Sequence, residues 1–257
     1  MQKMKSIQQI KSMKSKQKIV NLTAYDFPTA KLMDGIVDII LVGDSLGMVV
    51  LGYENTTQVT MDDMLRATSA VARGAKQTLI VGDMPFGTYE NEEDALKNAK
   101  LFLEAGAHVV KVEKKPEIAS FLVKNGIEVM GHIGLTPQTI TTFKVQGKDK
   151  ESANRIIDEA VALDKAGCFS LVLECIPLTL AKTITEKISI PTIGIGAGIH
   201  CDGQVLVTND ILGLYGDFKP KFLKRYRELG NEMKKAFEEY ARDVMESKFP
   251  GEENSFR

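Results

Sequence analysis

Residues 78–113 read TLIVGDMPFGTYENEEDALKNAKLFLEAGAHVVKVE. The stretch opens on an apolar run, TLIVGD (78–83), and closes on a second one, HVVKVE (108–113). Between them Asn91 stands in N-cap position before EEDALKNAKLFLEAGA, which carries acids in its first turn and Gly106 near its end. Runs that are apolar throughout, rather than alternating, mark strands buried on both faces of a parallel sheet. The unit is therefore strand, helix, parallel strand.

The same grammar extends in both directions. Further runs are IVNLTAY (19–25), VDIILVGD (37–44), IEVMGH (127–132), FSLVLE (169–174), PTIGIG (191–196) and, less sharply, DILGLY (210–215). Thr60 is placed to cap MDDMLRATSAVARGA, with Asp63 at the third helical position in a near-capping box. Residues 150–167, KESANRIIDEAVALDKAG, repeat the helical pattern. Eight strands alternating with helices over 257 residues predict an α/β fold, a (β/α)8 TIM barrel. A doubly wound open sheet is the alternative that periodicity leaves open. No Pro- or Ser-rich linker divides the chain, so residues 1–257 are expected to form a single domain. Met4, Ile7, Ile10 and Met13 recur every three residues, which predicts a helix within about 1–18 that caps one end of the fold. A C-terminal helix at about 220–247 is expected to pack through Phe222, Tyr226, Leu229, Met233, Phe237, Tyr240 and Val244.

Composition narrows the function. Apolar residues are 44% and charged residues 26%, with 33 Lys plus Arg against 34 Asp plus Glu. A net charge of −1 is not the basic profile of a nucleic-acid binder, and no apolar stretch is long enough to span a bilayer. The three cysteines, Cys168, Cys175 and Cys201, form no CxxC pair, which points to a reducing, cytoplasmic setting. Residues 1–18 hold six Lys and no acid, yet lack the apolar stretch of a secretory signal, and no Arg precedes Arg66. They are read as a solvated helix rather than an import sequence.

The residues that close the runs carry the chemistry. They are Asp44-Ser45, Asp83, Lys111 with Glu113, His132 and Glu174. In a barrel these ends converge on one face, where active sites sit. A lone Asp after a strand is commonly a helix N-cap. Five strands each ending in an ionisable group are harder to explain in that way, because charge beside a buried run is costly unless paired or metal-bound. Lys111 and Glu113 are two apart and so share one side of their strand. If Val110 and Val112 face the helices, this pair faces the barrel interior or its mouth.

Carboxylates from separate strands offer oxygen ligands, which suit a hard cation such as Mg²⁺. Neither an HExxH pattern nor a Cys/His cluster suggests zinc. Few protein ligands would leave room for a bidentate 2-oxo acid, with the metal acting as Lewis acid on an enolate. A nearby Lys adds charge stabilisation, and a separate carboxylate in a semi-apolar pocket suits proton removal. The glycine run 194–198 is compatible with a phosphate cradle or with a tight turn and close packing; the GxGxxG fingerprint fails at Ile199.

At these residues the sequence resembles the ketopantoate hydroxymethyltransferase family. The likeness runs from about residue 17 onward through LTAYD (22–26), LVGDSLGM (41–48), VGDMPF (81–86), VVKVE (109–113), GHIGLTPQ (131–138), KVQGK (144–148), LVLECIP (171–177), IPTIGIGAG (190–198), DGQVLV (202–207) and FPGEENSF (249–256). The resemblance implies a barrel of the phosphoenolpyruvate/pyruvate type and a homo-oligomer, a decamer. It implies Mg²⁺, and 5,10-methylenetetrahydrofolate as the one-carbon donor to 3-methyl-2-oxobutanoate, giving 2-dehydropantoate of pantothenate biosynthesis. Carried over by motif, Asp44 and Asp83 are the direct metal ligands and Glu113 a further metal-site carboxylate. The resemblance likewise implies that Asp44, Ser45, Asp83, Lys111 and His132 are substrate contacts and that Glu174 is the proton acceptor. In one place the chain departs from the family, which commonly reads FGGYKVQG after TPQ. Here Phe143 is followed directly by Lys144, which implies a shorter loop after strand 5 and bears on substrate enclosure and folate contact.

Two rivals stay open at this level. One is a Mg²⁺-dependent lyase or aldolase on 2-oxo acids; the other is a non-catalytic 2-oxo-acid sensor on a degenerate barrel. Loss of a metal ligand or of the base would favour the sensor, and all of them are present.

Overall fold

The computed structural model describes residues 4–139, 144–216 and 219–256. The chain divides into two compact units, Met1–Val207 and Thr208–Arg257.

The first unit holds eight parallel strands closed into a barrel in sequence order. They are β1 (Ile19–Thr23), β2 (Ile39–Val42), β3 (Leu79–Asp83), β4 (Val109–Glu113), β5 (Val129–Gly134), β6 (Ser170–Glu174), β7 (Thr192–Ile195) and β8 (Gly203–Leu206). Ahead of β1 lies α1 (Ile7–Ser12). The connections carry α2 (Phe27–Met33), α3 (Leu46–Val49), α4 (Met61–Gly74), α5 (Glu92–Glu104), α6 (Pro116–Lys124), α7 (Lys150–Lys165) and α8 (Leu178–Lys187). The helix signals in the sequence correspond to real caps. Thr60 and Asp63 form a reciprocal capping box, and Asn91 accepts from the Asp94 N–H at 2.9 Å. Each satisfies an otherwise orphaned donor.

Two apolar layers follow from strand parity. Ile40, Ile80, Val110, Val129 and Leu171 face outward onto Met64, Phe102, Leu122, Leu163 and Ile184 of the helices. Ile19, Ile39, Leu79, Val109, Phe169 and Ile193 form a separate inner layer, joined by Ile10 and Met13 at the end of α1. The N-terminal helix thus covers the end of the barrel where the strands begin. Ser6 and Gln9 supply its capping box.

The eighth strand corrects the sequence reading. DILGLY (210–215) is not a strand; β8 is GQVL (203–206), and residues Thr208–Ile211 form a short helix, α9. β8 carries no continuous apolar run, because Gly203 must be small and Gln204 faces outward. A Cβ on Gly203 would lie 2.5 Å from the Ile19 carbonyl oxygen. Close backbone approach, not hydrophobicity, defines this strand.

In the second unit α10 runs from Leu229 to Met245, starting later than the expected 220. The backbone N–H groups of Tyr226 and Leu229 bond the carbonyls of Ile211 and Leu212, so this segment pairs elsewhere than in a helix. α10 buries none of its residues, and Phe237 and Tyr240 are 64% and 61% exposed. Within the unit Tyr240 stands edge-on to the Phe249 ring at 5.6 Å, and the stripe otherwise stays exposed. The shortened loop at Phe143-Lys144 lies at the edge of residues 140–143, outside the described residues.

One contact ties the fold to the barrel's acidic rim. Phe102 of α5 is fully buried, and a Cβ on Gly82 would sit 2.4 Å from its ring. The ring therefore rests on the backbone immediately before Asp83. Phe102→Ala is expected to destabilise the protein by about 3–5 kcal/mol, seen as a lower urea midpoint with an unchanged slope. Substitution of exposed Lys100 by Ala should leave the midpoint within about 0.5 kcal/mol of the parent.

Candidate active site

Strand register brings the ionisable tips together. Asp83 is the register partner of Lys111, Glu113 of His132, and Gly134 of Glu174. Because parallel partners share a face, β3 to β6 present these side chains on one arc of the C-terminal rim. Val110 and Val112 belong to the outer layer, which leaves Lys111 and Glu113 facing inward as parity required. Asp44 lies two residues beyond β2, in the loop that leads to α3. Its main-chain N–H donates to Asp83 Oδ2 at 3.1 Å. Neither Asp acts as a helix cap: the residue before α3 is Ser45, and Asp83 ends a strand.

A single chain of close polar contacts links the set. Lys111 Nζ lies 2.7 Å from Asp83 Oδ1 and 3.7 Å from Glu113 Oε1. His132 Nδ1 is 3.1 Å from Glu113 Oε1, and its Nε2 is 3.1 Å from Glu174 Oε2. The imidazole therefore stands between two carboxylates. Ser45 Oγ shares a hydrogen bond with the Tyr25 hydroxyl at 2.8 Å. Asp44, Asp83, Lys111, Glu113 and His132 are all buried, while Glu174 is half-buried at the inner edge of the cluster.

Local backbone chemistry aims Glu174. Gly134 has φ of 94°, and a Cβ there would lie 2.3 Å from the Glu174 carbonyl oxygen. That oxygen accepts the Leu135 N–H at 2.9 Å, so β5 and β6 stay in contact beyond their regular ladder. Cys175 follows with φ of 47°, a left-handed conformation that is strained for a non-glycine residue. Such strain persists only where surrounding structure over-determines it.

The electrostatics are unbalanced. Four carboxylates, those of Asp44, Asp83, Glu113 and Glu174, face one ammonium and one imidazole. Burial, reinforced by the charge of Asp83, pushes the Asp44 carboxyl well above the usual carboxylate range. Burial likewise raises Asp83, against the pull of Lys111. Glu113 is drawn down despite its burial, because His132 and Lys111 both stabilise its anion. Burial and Lys111 work against a charged His132, but Glu113 and Glu174 prevail and hold its imidazole up at about 9. Lys111 stays charged for the same reason: Asp83, Glu113 and Asp44 outweigh the cost of its burial.

This donor set fits a hard divalent cation. Asp83 Oδ1 is buried with Lys111 Nζ at 2.7 Å, and among the described residues no hydrogen bond reaches Asp44 Oδ1. Glu113 has both oxygens engaged, Oε1 with His132 and Oε2 with the Gln138 N–H at 3.2 Å. Its place is consistent with a contact through water rather than direct ligation. No three His, Cys, Asp or Glu side chains among the described residues close around one point. Mg²⁺ commonly keeps several waters and takes only one or two carboxylates, which matches Asp44 with Asp83.

Two residues of the site carry no role in the sequence reading. Gln138, buried in the loop after β5, donates through Nε2 to Asp44 Oδ2 at 2.9 Å and to the Met84 carbonyl at 3.0 Å. The Tyr89 hydroxyl donates to Gln138 Oε1 at 2.5 Å. Both lie in loops, where apolar periodicity gives no signal; Gln138 closes the GHIGLTPQ motif without a titratable group to draw notice. The glycine run 194–198 is not followed by a helix, and a Cβ on Gly198 would lie 2.4 Å from Leu178 Cδ1. Close packing accounts for it better than a phosphate cradle does. All three cysteines are free, and burial pushes the Cys168 and Cys175 thiols up to about 12, so neither is poised as a nucleophile.

Comparison with known proteins bears on the family and on the fold. The family described as ketopantoate hydroxymethyltransferase matches residues 4–252. A 3-methyl-2-oxobutanoate hydroxymethyltransferase of Heliobacterium modesticaldum is 52% identical over 261 residues, covering 98% of this chain and 95% of its own. One of the same name from Enterococcus faecalis is 53% identical, covering 94% and 91%. Among solved structures, a phosphonopyruvate hydrolase in complex with oxalate and Mg²⁺ superposes with a TM-score of 0.63 at 10% identity, covering 96% of this chain and 92% of that one. A phosphoenolpyruvate phosphomutase from Streptomyces platensis subsp. rosaceus gives 0.63 at 11% identity, covering 95% and 88%. These likenesses concern the barrel fold alone. With a relative more than half identical over nearly its whole length, and the rim of buried acids just described, the chain belongs to the ketopantoate hydroxymethyltransferase family.

Proposed function

We propose that this protein transfers a hydroxymethyl group from 5,10-methylenetetrahydrofolate to 3-methyl-2-oxobutanoate, giving 2-dehydropantoate for pantothenate synthesis. The acceptor and the group transferred are those in the names of its relatives. The observation that carries the chemistry is the contact between a paired acidic rim and a separate carboxylate, joined at 3.1 Å through His132.

In this reading Asp44 and Asp83 hold Mg²⁺, with Glu113 contributing through water. When bound there, the ion supplies Lewis-acid stabilisation of negative charge on the 2-oxo oxygen. Lys111, fixed between Asp83 and Glu113, brings its ammonium to the same charge, and Ser45 hydrogen-bonds the oxo acid. Glu174 takes the C3 proton, and the C–H electron pair moves into the C2–C3 enolate. His132 holds the Glu174 carboxylate in place from the side of Glu113. The enolate carbon then bonds to the one-carbon unit of the donor; one water is consumed overall and tetrahydrofolate leaves. Burial of the cluster keeps competing water away from the carbanion equivalent.

The same reading takes the protein as a cytoplasmic homo-oligomer, a decamer. It is supported by the exposed apolar stripe of α10, a surface that subunit contacts would cover, and by the free cysteines. Among the described residues no helix is long and apolar enough to cross a membrane.

Incubation with the two substrates and Mg²⁺ should yield 2-dehydropantoate; cleavage of a larger 2-oxo acid in its place would favour a lyase. Glu174→Gln should slow C3 proton exchange in D₂O by about 10²–10⁴-fold and leave Mg²⁺ affinity nearly unchanged. Exchange at the parent rate would remove Glu174 from the role of base. Asp44→Asn preserves an acceptor for Gln138 but deletes a buried anion. Its metal-free form should melt about 2–4 °C higher, on the order of 1 kcal/mol, while the further rise on adding Mg²⁺ disappears. Differential scanning calorimetry with and without the ion reads both effects.

A further inference from the structure

The position of Gln138 has a consequence for the carboxylates around it. A side-chain amide has two faces, an oxygen that accepts and a nitrogen that donates, and nothing in the amide itself decides which way it turns. Here both ends are determined. The Tyr89 hydroxyl donates to Oε1 at 2.5 Å. Nε2 spends its two hydrogens on Asp44 Oδ2 and on the Met84 carbonyl. A reversed amide would turn its oxygen toward Asp44 Oδ2 and that carbonyl oxygen, and would lose both hydrogen bonds that Nε2 donates. The main-chain N–H of Gln138 reaches Glu113 Oε2, while Tyr89 accepts the Glu113 N–H at 3.2 Å. Both residues are buried, Tyr89 at 3% and Gln138 at 4% exposure.

We propose that Gln138 is the positioning residue of the acidic pair, with its amide oriented by Tyr89. It occupies Asp44 Oδ2, so the other oxygen, Oδ1, is the one presented to a cation; and it occupies Glu113 Oε2, so Glu113 stays one step back. One loop residue thereby separates a ligating carboxylate from a non-ligating one. The assignment rests on the metal-binding role proposed above for Asp44 and Asp83. It requires no contact between Gln138 and substrate.

Partners that orient ligating groups commonly set metal affinity by 10–100-fold. The test is calorimetric titration of metal-stripped protein with Mg²⁺, repeated with Mn²⁺ followed by electron paramagnetic resonance, alongside melting temperatures with and without metal. Gln138→Met keeps the length of the side chain and deletes the amide. It should weaken binding of both ions by about 10–100-fold and shrink the metal-induced rise in melting temperature. Tyr89→Phe removes one oxygen at constant shape and should weaken binding in the same direction, by less. Because Tyr89 acts through Gln138, the double variant should bind no more weakly than Gln138→Met alone. A purely structural role would lower the melting temperature of the metal-free and metal-bound forms equally and leave affinity intact. Parent-like affinity in Gln138→Met, or losses that multiply in the double variant, would overturn the assignment. Should Gln138→Met fail to fold, Tyr89→Phe decides alone: parent-like affinity in it would count against the oriented amide. Failure of the parent protein itself to bind either ion would instead defeat the metal reading, and the assignment with it.

Discussion

Everything at the rim answers to one constraint: acidic groups are held out of water in greater number than the cations beside them. Lys111, buried at 3% exposure, lies 2.7 Å from Asp83 and within reach of Glu113. A buried anion without a partner is expensive, and a buried pair breaks even only when its remaining hydrogen bonds are satisfied. Here Glu113 is met by His132 and by the loop after β5, and Asp83 by Lys111 and the Asp44 N–H, while among the described residues no hydrogen bond reaches Asp44 Oδ1. The imbalance is local and directional. On the metal reading proposed above, a divalent cation held by Asp44 and Asp83 would offset it.

The barrel meets this constraint through register rather than through any single strong contact. Each strand contributes one or two side chains at its carboxyl end, and parallel pairing brings Asp83, Lys111, Glu113, His132 and Glu174 into neighbouring positions. The apolar layers on both sides of the strands fix that register, since a slip of one residue would turn Lys111 and Glu113 toward the helices. Loops then complete what the strands cannot. Gln138 and Tyr89 reach in from the segments after β5 and β3, and the strained turn at Cys175 points Glu174 along the rim. Stability and function thus use the same packing. Phe102 against Gly82 supports the backbone that ends in Asp83.

How much of this was legible before the coordinates differs from residue to residue. β3 to β6 were readable because each is an apolar run closed by a charge, and because the two-residue spacing of Lys111 and Glu113 states their common face. β8 was not readable: it is held by the close approach of Gly203 to Ile19, a tertiary fact without apolar periodicity, whereas DILGLY has the periodicity and turns into α9 and the segment after it. The late start of α10 has a similar cause, since the residues before it spend their N–H groups on Ile211 and Leu212. At the site, titratable groups drew attention and a neutral amide did not. Gln138 is as buried as the acids, but only three-dimensional closure reveals that it stands between Asp44 and Glu113.

The central claim is that Asp44 and Asp83 together hold a divalent cation while Glu174 remains free to take a proton. Anomalous diffraction from crystals equilibrated with Mn²⁺ addresses it directly. The account predicts one strong peak in contact with the carboxylates of Asp44 and Asp83, with Glu113 reached through water and Glu174 outside the coordination shell. A peak ligated by Glu174, or none at the rim at saturating Mn²⁺, would contradict it.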